Sequence, residues 1–137
     1  MRGILGPPPG SATSAHLHGF IGPAHVSTVI GSEPYRFCAD EYHRPVVITG
    51  FEPLDVMQAV LMLVRQVNDG RAVVENEFTR AVTREGNRTA QALVEQVFGT
   101  RDSFEWRGLG QVERSALKIR PAYARFDAEA RFALAYQ

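Results

Sequence analysis

Apolar positions fall into two kinds of run along this chain. Residues 45–49, Pro-Val-Val-Ile-Thr, form a short continuous stretch rich in β-branched side chains, the pattern of a strand buried on both faces. Gly50 breaks it. Pro53 then suits the first position of a helix, where no backbone donor is needed. Asp55 falls in the first turn, where a carboxylate meets the positive end of the helix dipole. Beyond it Met57, Val60, Leu61, Val64 and Val67 mark one face at helical spacing, and Val56, Ala59 and Leu63 make most of the other side apolar. Such a helix is expected to be covered on several sides. Gly70, after Asn68 and Asp69, supplies a C-terminal stop.

The same grammar occurs earlier. Residues 17–21 predict a strand ended by Gly22 and Pro23, and a helix begins near residues 23–25 and runs through Val26, Val29 and Ile30. A second helical piece is expected over residues 35–42, with Phe37 and Cys38 facing in. A strand end, a Gly, a nearby Pro and a helix therefore occur twice, as in successive β–α units of a parallel sheet. Residues 72–78 read as a further strand with a charged edge at Glu75 and Glu77. Asn87 suits a helix N-cap, and Ala90, Leu93, Val94, Val97 and Phe98 form a helical stripe that Gly99 closes. Trp106, Gly108, Leu109 and Gly110 suggest a turn-rich β excursion, with residues 116–119 as a return strand. Tyr123, Phe126, Phe132 and Leu134 are aromatic and apolar anchors of a last segment that opens at Pro121.

The expected fold is α/β: a small, mainly parallel sheet flanked by helices, followed by a C-terminal β excursion. Residues 1–16, rich in Pro, Gly and Ser, read as a flexible lead-in, because a Pro-Pro-Pro-Gly run continues neither a helix nor a central strand. Residues 17–120 form the α/β domain, and residues 121–137 begin a separate C-terminal segment.

Composition narrows the function classes. A chain of 137 residues with 45% apolar content has enough length for one domain with a real core. The formal net charge is zero, so no global field draws nucleic acid or an anionic membrane. The longest apolar run, residues 59–64, is too short to span a bilayer, and the first ten residues carry no signal-peptide core. Cys38 is the single cysteine, which excludes an internal disulfide and fits a reducing cytoplasm.

Candidate chemistry gathers at the two Gly–Pro turns. Ligands in open α/β sheets bind outside the carboxyl ends of the strands. That rule converges His25, Ser27, Glu52 and Asp55 on one crevice. The plainer reading stands beside it: Ser27 and Asp55 as helix caps, His25 as a turn residue. Helix N-termini after Gly22 and Gly50 offer an alternative, a small α/β enzyme or an anion- or phosphate-binding domain. His16 and His18 share a strand face but lack a third ligand, so no metal site is expected there. Cys38 reads as a small core residue, and no Cys-x-x-Cys pair is present to hold a cluster. Arg80, Arg84 and Arg88 recur every four residues; they could form one basic face for an anion or an acidic partner, and read more readily as a solvated helix edge paired with Glu77 and Glu85. No Gly-x-Gly-x-x-Gly or Walker-type loop occurs.

Four stretches, in order, resemble one family. They are Gly-Pro-Ala-His-Val-Ser-Thr-Val-Ile-Gly over residues 22–31, Gly-Phe-Glu-Pro-Leu-Asp over 50–55, Arg-Glu-Gly-Asn over 84–87 and Phe-Glu-Trp-Arg-Gly-Leu-Gly over 104–110. Together they closely resemble HypD, the nickel–iron hydrogenase maturation factors, from about residue 17 to residue 132. The resemblance implies a maturation scaffold rather than an enzyme. Such proteins join HypC, and the pair carries iron while cyanide and carbon monoxide are attached, with HypE as cyanide donor. It also implies a fold of two α/β domains and a C-terminal part holding a 4Fe-4S cluster. The family's N-terminal cysteine motifs and its cluster cysteines have no counterpart here. The chain therefore reads as a middle piece of that pattern, with no cofactor of its own and its crevice at His25, Ser27, Glu52 and Asp55. An inactive truncation is the remaining alternative.

Overall fold

The computed structural model describes residues 17–132. Two compact units divide it, Met1–Arg88 and Thr89–Gln137. The expected lead-in at residues 1–16 and Leu134 lie outside the described residues.

The first unit is a layered α/β structure. Strands β1 (Phe20–Pro23), β2 (Val46–Thr49) and β3 (Val74–Asn76) form one parallel sheet in the order β1-β2-β3. Phe20 pairs with Val46 and Val46 with Val74, which sets the register across all three. All four residues of β2 are buried, as the continuous β-branched run requires of a central strand. Helix α1 (Ala24–Ile30), a 3-10 turn over Glu33–Tyr35 and helix α2 (Arg36–Asp40) follow β1. Their Ala24, Tyr35 and Cys38 pack with Val46, Ile48 and Val82, and Phe20, Phe37 and Val74 complete that core.

Helix α3 (Pro53–Asn68) joins β2 to β3 and carries Pro53 at its start and Asp55 in its first turn, as the sequence predicts. It packs on the opposite face of the sheet. Gln66, fully buried, donates to the Glu75 carboxylate at 2.9 Å and accepts from the Val73 amide at 3.0 Å. Glu75 pairs in register with Val47, which is also fully buried. The other side of α3 differs from expectation. Met57, Val60, Leu61, Val64 and Val67 are exposed, and the buried positions are Asp55, Ala59 and Gln66. One apolar stripe faces the sheet and the other faces outward; periodicity alone does not say which side of an all-round apolar helix finds the sheet.

A loop clasp closes α1. Gly31 and Gly86 both take positive φ, at 79° and 69°. Their backbones lie against each other, and a Cβ on Gly31 would meet the Gly86 nitrogen at 2.6 Å. The Asn87 amide donates to the Val29 carbonyl at 2.9 Å, and the Ser32 and Glu33 amides donate to Arg84. The Arg-Glu-Gly-Asn stretch thus holds the carboxyl end of α1.

The second unit opens within helix α4 (Arg88–Val97), at Thr89, and continues into two antiparallel ribbons. Strand β4 (Phe98–Thr100) pairs with β7 (Leu117–Ile119), and β5 (Ser103–Trp106) with β6 (Gly110–Glu113). The β excursion and its return strand match expectation. Gly99 does not end α4 as a cap; it lies within β4 opposite Lys118. A 3-10 segment over Pro121–Phe126 and a short helix α5 (Ala128–Arg131) follow. Arg101 pairs with Glu129 at 2.6 Å, and Trp106 Nε1 donates to Ser115 Oγ at 2.7 Å.

Candidate functional site

The carboxyl ends of the parallel strands open into two turns that meet. The His25 ring, exposed after β1, lies 5.3 Å from the Phe51 ring after β2, tilted by 37°. Phe51 is 72% exposed, so this contact bridges the turns at the surface. Thr28 Oγ1 donates to the His25 carbonyl at 2.7 Å and fixes the backbone under the ring.

Below Phe51 the turn is close-packed. A Cβ on Gly50 would come within 2.5 Å of the Phe78 ring and collide with the Asp55 carboxylate, so this position requires glycine. Asp55 is buried. Its two oxygens accept from the Arg80 guanidinium, Oδ1 from Nη1 at 3.1 Å and Oδ2 from Nη2 at 2.6 Å. The same guanidinium stacks 3.8 Å above the Phe78 ring. A planar fork that also stacks is a role lysine does not fill. The Asp55 bonds hold Arg80 protonated more firmly than usual.

Glu52 is the N-cap residue of α3 in backbone terms, yet its side chain makes no capping bond. The carboxylate is 77% exposed and its Oε2 lies 3.5 Å from Arg80 Nη2. Glu77 reaches the same edge, its Oε2 3.5 Å from Thr49 Oγ1. Three carboxylates, of Asp55, Glu52 and Glu77, therefore surround one guanidinium at the crevice.

Of the four residues the sequence places here, His25 and Glu52 are exposed at the turns and Asp55 lies under them. Ser27 is turned into the fold. It is fully buried, 2.7 Å from the Pro23 carbonyl and 3.0 Å from Tyr35 Oη. Its one proton serves the carbonyl, and the phenol donates to it. Arg80 and Phe78 also lie at these turns; in sequence Phe78 reads as the end of a strand and Arg80 as a helix edge. The four-residue arginine spacing suggested a helix, but residues 77–87 form a loop. Arg80 pairs with Asp55, Arg84 with Glu33 at 2.7 Å, and Arg88 opens α4. The signal for the ion pair spans 25 residues, beyond any local pattern.

At the amino ends of the strands His18, His43, Arg44 and Arg71 line a separate cavity of about 500 Å³; His16 lies outside the described residues. Among the described residues no group of three or more His, Cys, Asp or Glu side chains is placed to hold a metal ion. An iron–sulfur cluster needs cysteine thiolates. Cys38 alone is present, buried, with burial pushing its thiol up, so the residues here do not fit that group. No helix among the described residues is long and apolar enough to cross a membrane.

Comparison with known proteins gives one family. The family model described as HypD, hydrogenase formation hypA family, matches residues 10–137. A hydrogenase expression/formation protein HupD from Azotobacter chroococcum mcd 1 is 65% identical over 134 residues, covering 98% of this chain and 35% of the relative. The hydrogenase maturation factor HypD of Cupriavidus necator is 69% identical over 121 residues, 88% of this chain and 32% of the relative. That of Escherichia coli K12 is 47% identical over 116 residues, 85% and 31%. The chain thus spans about a third of the length of these curated relatives.

Proposed function

The chain belongs to the HypD family of hydrogenase maturation factors, and we propose that its crevice is a working surface of the maturation scaffold. On this reading the scaffold assembles with HypC-like and HypE-like proteins, and iron carrying cyanide and carbon monoxide is the cargo. The observation that carries the reading is the meeting of the two strand-end turns, with the His25 and Phe51 rings in contact over the locked Asp55–Arg80 pair. A rigid floor under exposed polar groups is what positioning a small ligand requires. His25 and Glu52 supply a hydrogen-bond donor and an acceptor at the rim; Asp55, Arg80 and Phe78 keep the turn in place. The three carboxylates about one guanidinium do not favour an anion at this point. The site's role is scaffolding, with no covalent step assigned to its residues.

The test is His25→Ala in a family-length HypD protein carrying this segment. Because His25 is exposed, the variant keeps its level and its unfolding midpoint. Hydrogenase maturation in cells is expected to fall by about tenfold or more, as loss of one positioning hydrogen bond often causes. Maturation equal to the parent, at equal protein level, removes the crevice from the function.

A further inference from the structure

The amino ends of the parallel strands carry the opposite charge pattern to the crevice. His18 precedes β1, His43 and Arg44 precede β2, and Arg71 precedes β3, so the parallel register brings all four to one edge of the sheet. They line one cavity of about 500 Å³, with Val67 and Ala72 as its apolar wall, and none of the described residues lining it is acidic. Arg44 is half-buried, and its guanidinium bonds to the His43 carbonyl at 3.3 Å and to no carboxylate among the described residues. A guanidinium drawn partly out of water calls for a counter-charge, and most of its five N–H donors are unused here. Arg71 is held loosely, 3.5 Å from Asp69 and 3.7 Å from Glu75, both longer than the roughly 2.7–2.9 Å of a charge-assisted bond. Glu75 already accepts from Gln66. The last carbonyls of α3 do not supply the missing negative charge, because those of Arg65, Gln66 and Val67 accept from the amides of Asp69, Arg71 and Gly70. His43 takes φ of 51°, a left-handed conformation that costs a residue with a Cβ and that is often kept where function uses it.

We propose that this cavity binds a small oxyanion carrying more than one negative charge, a phosphate or a dicarboxylate. The planar forks of Arg44 and Arg71 match the paired oxygens of either group. The imidazoles of His18 and His43 each keep an N–H donor in either protonation state. The cavity is larger than the charged group alone requires, so an organic body fits beside it against Val67 and Ala72. The formal net charge of the chain is zero, so attraction at this point is local to the four side chains and not a property of the whole surface. The site lies at the far end of the strands from the turns after Gly22 and Gly50, and the inference does not rest on the role of the crevice.

Titration of this chain with inorganic phosphate and, separately, with malonate at low ionic strength tests the site, with amide resonances to locate binding and calorimetry to measure it. Saturable shifts are expected at residues 18, 43, 44 and 70–72. Tighter binding of phosphate assigns the site to phosphate compounds and tighter binding of malonate to carboxylates; either result supports it. Arg44→Gln is expected to weaken binding by about tenfold or more. Arg107→Gln, at an exposed position of the second unit, is expected to leave it unchanged. His43→Gly removes one imidazole at a backbone conformation that suits glycine, and it should weaken binding without lowering the unfolding midpoint, so the test survives a folding defect in the arginine variant. Shifts that do not saturate, shifts centred on the helix starts at residues 23–25 and 52–55, or equal affinity in the parent and the two cavity variants overturn the inference. Because the readout is anion binding and not maturation, its failure and that of the crevice reading are told apart.

Discussion

The two units use similar sequence patterns and bury them very differently. In the first, β2 is buried along its whole length and Ile48 joins a core with Ala24, Tyr35, Cys38 and Val82. In the second, none of the described residues is buried, and α4, with its regular apolar stripe, leaves Leu93 57% exposed. A continuous apolar run states its own burial, because neither face of such a strand tolerates water. An amphipathic stripe states only that one side is apolar and waits for a partner. The crevice is built where the first kind of run ends, on the most firmly packed backbone of the molecule.

The sharpest way to break this contrast is through two glycines. Gly86, in the clasp of the first unit, has φ of 69°, and a Cβ there would collide with the Val29 carbonyl and lie 2.7 Å from the Ile30 carbonyl carbon. Gly108, in the hairpin of the second unit, has φ of 80° with nothing within 4 Å. Gly86→Ala is expected to cost about 3 kcal/mol or more, and Gly108→Ala only about 1 kcal/mol, the left-handed backbone alone. Denaturant midpoints measure both, and equal losses would contradict the clasp. Side-chain truncation comes next. Ile48→Ala should cost about 2–5 kcal/mol, whereas Leu93→Ala should stay under about 1 kcal/mol. A large loss at Leu93 would show that the second unit has a core of its own.

The smallest effect is electrostatic and belongs to the clasp. The Arg84 hydrogen bond, with Arg36 after it, holds the Glu33 carboxyl below its usual range. A depressed carboxyl contributes stability above its ordinary titration range, and that contribution drains away as pH falls through the lowered value. Glu33→Gln should therefore make the unfolding midpoint of the first unit less steep on the acid side. The group is exposed, so the change in slope is slight. An unaltered acid limb would remove the pair from the stability of the clasp.

Much of the first unit is legible in the sequence, because its signals are local. The β-branched run, Gly50, Pro53 and Asp55 place a strand, a turn and a helix start within ten residues. The features without a local signal depend on contacts distant in sequence. The side of α3 that meets the sheet is settled by Gln66 reaching Glu75 and Val73, not by periodicity. Gly99 looked like a helix stop and became a strand residue because Lys118 lies opposite it. At the site, the strand-end rule located His25 and Glu52, but the same rule placed Ser27 there although its hydroxyl is engaged inside by Pro23 and Tyr35. Arg80 reads locally as a helix edge beside Glu77 and Glu85, because its actual partner Asp55 precedes it by 25 residues.

If the strand-end turns serve function while the packing beneath them serves the fold, Glu52 is where the two separate most directly. Its carboxylate is exposed, makes no cap and lies only at 3.5 Å from Arg80. Ser is a better cap than Glu, so Glu52→Ser should hold or slightly raise the unfolding midpoint of this chain. In a family-length HypD protein carrying the segment, the same substitution should lower hydrogenase maturation at unchanged protein level and unchanged HypC binding. Normal maturation by the Glu52→Ser protein would contradict the account and leave Glu52 as a turn residue.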